Sequence, residues 1–185
     1  VRLRALEGIC LGLAALSAVA QFAGTVVVIG HNVLTPWSLS GYFLIAWLIV
    51  RLISARASRG RTIPPLTPGV NLLRAVAVVA LSLICVGSAL FDVSARYSVL
   101  DPSSDEGCRA VVREDSFLLG GNGSVYVARP FGFIATQAGS WRTDDGYRPV
   151  AAGAYAVKWK GNSGLLLLRY GGDPVWPSLH TIDCG

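Results

Sequence analysis

Apolar residues run almost unbroken through three stretches of the first half, Gly8 to Gly30, about Trp37 to Ile53 and Ala75 to Phe91. After Asp92 they give way to short alternating runs. Each long stretch can cross a hydrocarbon core of roughly 30 Å as a helix. The pattern therefore predicts residues 1–96 as a three-span helical membrane anchor. It predicts 97–107, centred on Asp101-Pro102-Ser103-Ser104, as a polar connector, and 108–185 as a separate domain.

Beyond the connector the text is that of strands, with Val, Tyr, Phe and Trp in short runs broken by Gly, Asn and Asp. Strands are expected near Arg109 to Leu119, Ser124 to Arg129, Phe131 to Gln137, Trp141 to Thr143, Tyr147 to Ala151, Ala154 to Lys160, Leu165 to Tyr170 and Leu179 to Asp183. Tyr155, Val157 and Trp159 alternate with Lys158 and Lys160, then meet Gly161-Asn162-Ser163-Gly164 and a second apolar run, which reads as a β-hairpin. Gly120-Gly121-Asn122-Gly123 reads as another hairpin loop, and Asp145-Gly146 as a tight turn. Seven or eight short strands in so few residues predict a small all-β domain, a sandwich or a partly open barrel.

Charge orients the anchor. Arg2 and Arg4 precede the first span, and Arg51, Arg56, Arg59, Arg61 and Arg74 bracket a basic loop, 54–70, that lacks acidic residues, whereas the loop around His31 to Thr35 has no formal charge. The positive-inside bias puts the N-terminus and the basic loop in the cytoplasm and the β domain outside. Seven Arg and one Glu before Asp92 give +6, and nine Arg or Lys against ten Asp or Glu from there on give −1. The basicity is thus a topology signal, with membrane lipid headgroups as its natural contact, and implies no nucleic-acid partner. Arg2, Arg4 and Ala18-Val19-Ala20 also resemble a cleavable signal peptide. The apolar run continues past that site to 23 residues, and cleavage would leave the domain on the same side.

Within the spans ionisable chemistry is sparse, which argues against an ion or proton pathway. Gln21, expected near the middle of the first span, needs a hydrogen-bond partner, Ser82 or Ser88 on the third. Gly8 and Gly12, like Ala20 and Gly24, are spaced to let another helix approach. The expected neighbours are this chain's own spans, with a second copy or a partner subunit as the alternative. Cys10 and Cys85 read as small apolar residues. Cys108 and Cys184 bracket the outer domain in an oxidising compartment and are expected to form a disulfide, a staple that a domain this small needs.

Candidate chemistry is thin. His180 is the only histidine in the domain, and on a strand it shares a face with Ser178 but not with Asp183, so no triad is visible. Glu114-Asp115 and Asp144-Asp145 are adjacent pairs without glycosidase geometry. The glycine cluster lacks the Lys-Ser or Lys-Thr of a phosphate loop, and no metal or cofactor site is indicated. Trp141, Arg142, Tyr147, Arg148 and Trp176 are the better lead, because Trp, Tyr and Arg dominate binding surfaces, with a place in the core as the competing and leading reading for Trp141 and Trp176; the prolines beside Trp176 are expected to hold it in a non-strand segment.

Fourteen Arg against two Lys, no Met and a Val at position 1 suit a GC-rich genome and an alternative start codon, as in an actinobacterium. The layout is similar to that of small accessory or immunity membrane proteins of bacteria, a similarity of architecture that no residue carries. The expected function is non-catalytic protein binding by a multi-pass plasma-membrane protein. The partner would be a subunit of a membrane complex or a secreted protein such as a toxin. A cell-envelope hydrolase built around His180 is the alternative.

Overall fold

The computed structural model describes residues 2–57, 68–169 and 174–184. Its elements are α1 (Arg2–Phe22), β1 (Thr25–Ile29), β2 (Asn32–Leu34), α2 (Pro36–Ala57), α3 (Pro68–Asp92), β3 (Arg96–Val99), β4 (Arg109–Phe117), β5 (Gly120–Ala128), β6 (Ile134–Asp144), β7 (Tyr155–Lys160), β8 (Ser163–Leu168), β9 (Val175–Trp176) and β10 (Leu179–Asp183). They form two compact units, one of Val1–Ala23 and Pro36–Leu90, the other of Gly24–Thr35 and Phe91–Gly185. The middle of the expected basic loop, with Arg59 and Arg61, lies outside the described residues.

The first apolar stretch divides where a single span was expected. Gly24, with φ +61, takes the left-handed conformation that ends helices. The β-branched run Thr25-Val26-Val27-Val28-Ile29 then becomes a strand, hairpinned to β2 and paired with β6 through Thr25↔Thr136 and Val27↔Ile134. Apolarity fits a lipid-facing helix and a buried strand equally well, so the uninterrupted run concealed the change. Twelve residues between the first two helices thus belong to the β domain, which begins at Gly24 and not at Cys108. Nor is 97–107 a free connector, because Tyr97, Ser98 and Val99 pair with β4 and Leu100 is buried in a core.

The helices have 21, 22 and 25 residues, or roughly 31, 33 and 37 Å at the helical rise. All three are long and apolar enough to cross a membrane. Small residues bring α1 and α2 together. Ala14 and Ala18 are buried with Leu81, and the fully buried Ser40 Oγ donates to the Ala14 carbonyl at 2.9 Å.

In the other unit six strands run β2-β1-β6-β5-β4-β3, all antiparallel, and β2 lies beside β3, so that this sheet curls into a nearly closed barrel. A second sheet, β10-β8-β7, is separate, while β9 adds to the edge of β6. Period-two alternation divides the apolar residues of β4 between two cores. Val111 points into the curled sheet with Val26, Val28, Tyr126, Ala128 and Ala135, whereas Ala110 and Val112 face Leu166, Leu168 and Ile182 of the second sheet. The disulfide Cys108–Cys184 joins the two sheets, with Cα atoms 6.3 Å apart.

The β-hairpin of β7 and β8 forms with a turn at Gly161-Asn162, tighter than the four-residue loop expected. Gly161 at φ +60 supplies the positive angle that a two-residue hairpin requires. The glycine cluster is not a loop. Gly120 to Gly123 lie inside β5, and the turn is Leu118-Leu119. Gly123 is there for close approach, since a Cβ would fall within the Trp141 ring. The two expected strands Phe131 to Gln137 and Trp141 to Thr143 merge into β6, which bulges opposite Val125/Tyr126. Tyr147 to Ala151 forms turns and no strand, because Glu114 accepts the Val150 and Ala151 amides that would otherwise join a ladder.

Candidate functional site

Of the five aromatic and basic residues singled out in the sequence, two lie on the surface together. Arg142 and Trp176 are directly paired across β6 and β9, and both side chains are exposed, Trp176 at 57%. Trp176 therefore sits on a short strand, where a non-strand segment was expected. Pairing with β6 is available because β6 outruns β1 and leaves an open edge at Arg142 and Thr143. From Trp176 the chain passes through Pro177 and Ser178 to Leu179, which pairs with Leu167. Thr181 pairs with Leu165 on the same exposed face, so an apolar strip continues along the second sheet.

The other three point inward. Trp141 is a core residue beside Gly123. Tyr147 packs against the same core. Arg148 Nη2 donates to the Ser94 carbonyl and to Ser116 Oγ, both at 2.7 Å, so it fastens the chain leaving α3 to the end of β4.

His180 is buried, 6% exposed, with its ring 5.3 Å from that of Trp141. Its Nε2 donates to the Pro177 carbonyl at 3.0 Å. Burial pushes its pKa down from the ordinary 6.5, so the neutral ring is favoured. Gly139 makes room for the imidazole, since a Cβ there would lie 2.8 Å from Nδ1.

A polar cluster that the sequence did not reveal closes one end of the curled sheet. Arg113 bonds Asp92 at 2.9 Å and pairs with Asp115, and the Tyr97 hydroxyl donates to Asp92. Burial first, then the Asp92 charge, push the Tyr97 phenol up, which keeps it a donor. Glu114 faces the other way and takes two backbone amides at 2.8 Å, although burial still raises its pKa. At the opposite end of β4, Arg109 donates to the Gly30 carbonyl. Only alternation could have suggested this cluster, because Arg113 and Asp115 occupy the same face as buried Val111.

The helix-packing residues are redistributed. Gln21 lies one residue from the end of α1, not mid-helix, and its Nε2 donates to Ser88 Oγ at 2.6 Å. Gly8 and Gly12 have open space where a Cβ would stand and are exposed, so Ala14 and Ala18 make the close approach expected of them. Gly24 belongs to the β domain, beside Gln137. Glu7 is 1% exposed, between Arg51 and Arg74 at 3.6 Å each, so that one carboxylate links three helices. Cys10 and Cys85 are free thiols. No group of three metal-ligating side chains occurs among the described residues. Compared with family models, curated proteins and solved structures, the chain matches none of them.

Proposed function

We propose that this chain is a three-span plasma-membrane protein that holds its β domain on the extracytoplasmic side to bind another protein, without catalysing a reaction. The observation that carries the binding role is the exposed Arg142–Trp176 pair, continued by Leu179, Leu167 and Leu165. A Trp and an Arg beside an apolar strip have the composition of an interface hot spot. The buried His180, fixed on Pro177, favours binding over the hydrolase alternative, because a general base must reach its substrate.

Membrane insertion is favoured by the helix surfaces. Leu72, Leu73, Val76, Val79, Leu83, Val86 and Leu90 of α3 are all exposed, far more contiguous apolar surface than water tolerates. Orientation follows from Arg51, Arg56 and Arg74 flanking the basic loop, and a disulfide suits the outer compartment. The partner is either a secreted protein met at the Arg142–Trp176 face, as for an immunity protein, or a membrane subunit seated on the open Gly8 and Gly12 of α1.

Mapping the binding separates these. The full chain in lipid nanodiscs is used to capture partners from the native host, and the Trp176→Ala, Arg142→Ala and Gly12→Leu variants are compared. Loss of about tenfold or more in affinity for Trp176→Ala, with Gly12→Leu unaffected, is expected for a protein met outside. The reverse pattern assigns the partner to the membrane. Capture unchanged by all three would overturn both contact surfaces, and the capture of no partner would sink the binding reading.

A further inference from the structure

The hairpin between β4 and β5 ends in Phe117-Leu118-Leu119, whose side chains are 76, 85 and 77% exposed. The turn proper is Leu118-Leu119, and Leu118 has φ 54, a left-handed conformation that glycine or asparagine adopts at less cost. Three large apolar side chains are therefore held in water on a turn that local chemistry would fill otherwise.

Its place in the topology sets it at the end of the domain where the chain enters from α3. The chain leaves α3 at Asp92 and enters β3 at Arg96, whose partner on β4 is Glu114. Since β4 is antiparallel to β3, it runs back toward the point of entry and continues three residues beyond Glu114 to Phe117, about 10 Å farther. Two contacts hold it there, Arg148 between Ser94 and Ser116 and Arg113 on Asp92. Phe91 and Val93, next to Asp92, are themselves exposed apolar residues. The other apolar loop of the domain, Phe131 to Ile134, lies at the far end of β5, with the Phe133 carbonyl accepting from Val28, four residues into the domain from Gly24.

We propose that Phe117, Leu118 and Leu119 insert into the outer leaflet of the membrane that α3 crosses, so that the β domain rests on the lipid surface. The inference depends on the spanning reading above. Depth is limited by Asp144 and Asp145, exposed in the adjoining turn where Asp144 pairs with Gly120. The tip reaches the headgroup and upper acyl region, about 5–10 Å, and no deeper.

The test uses the full chain with Cys10→Ala and Cys85→Ala, reconstituted in phosphatidylcholine and phosphatidylglycerol vesicles, the native disulfide intact. An environment-sensitive NBD fluorophore is placed by Leu118→Cys, by Leu119→Cys, by Leu83→Cys on α3 or by Phe131→Cys. Lipids carrying a nitroxide on the upper acyl chain serve as quencher for positions 118, 119 and 131, and lipids carrying it near the chain end serve for position 83, which lies about 13 Å from the end of α3. Loss of most emission at 118 and 119 but not at 131 is the expected result; if one tip variant does not fold, the other is read. Quenching at 83 without quenching at 118 or 119 overturns the tip insertion and leaves the spans standing. No quenching at 83 overturns the spanning reading and the insertion with it. Equal quenching at 131 and 118 also overturns the proposal, because any exposed apolar loop would then behave alike.

Discussion

At the residue scale, the domain fixes its side chains by giving each large one a glycine to lie against. Trp141 lies over Gly123, Trp159 over Gly164 and His180 beside Gly139. The sequence pattern reads Gly123 and Gly164 as loop formers, because nothing in one dimension says which large residue will stand opposite. His180 also carries a pH signature. Its folded-state pKa lies below the ordinary 6.5, so its contribution to stability is complete above about that pH and is lost as pH falls through the folded value. Glu114 has the opposite sign, since burial raises its carboxyl and protonation relieves a buried charge. The His180 share is therefore read as a difference. Chemical unfolding of the full chain in detergent should show an acid-side loss of stability below pH 6.5 that is smaller in His180→Gln than in the parent; equal losses would show that the imidazole is not the titrating group.

At the scale of elements, polar contacts join the helices at several levels, among them Ser40 on the Ala14 carbonyl. Gln21–Ser88 lies near one end of α1 and α3, and Glu7 with Arg51 and Arg74 near the other. A carboxylate this buried is costly unless paired, and removing its charge leaves two arginines facing one another. Because Arg51 is half exposed and screened, the expected cost of Glu7→Gln is about 1–2 kcal/mol, below that of a fully buried pair. Thermal unfolding of the detergent-solubilised protein would measure it. An unchanged melting point would mean that the other contacts, among them Gln21–Ser88, Ser40 on Ala14 and the buried Ala14 and Ala18, hold the helices without it. Among strands, β7, β8 and β10 were legible because alternation, turn residues and length agreed. β1 was not, because it continues the apolar text of α1 with only Gly24 between them.

At the scale of the whole chain, the β domain is a composite of a segment between the first two helices and everything after α3. The chain passes between it and the helical unit three times, at Gly24, Thr35 and Phe91, where the sequence pattern predicts a single polar connector. The disulfide adds a further constraint between the sheets. It spans 76 residues, and closing a loop of that size is worth about 4 to 5 kcal/mol in the chain-entropy model. Replacing Cys108 and Cys184 by Ser should lower unfolding stability by up to that amount in chemical denaturation. A loss well below 1 kcal/mol would show that the core packed between the two sheets already supplies the closure.

Length and apolarity along the chain determined the three helices, and alternation determined that the remainder is antiparallel β, because both depend on local periodicity. Cysteine placement determined the disulfide, because only two of the four cysteines lie in the polar half. Tertiary structure alone decided where the β domain begins, since β1 is stabilised by pairing with β6, more than a hundred residues away. It alone decided that Trp141 faces inward while Arg142 faces out, since that depends on which side of β6 the second sheet covers. It also brought Phe117, Leu118 and Leu119 back toward the end of α3, through a strand pairing that no local pattern records.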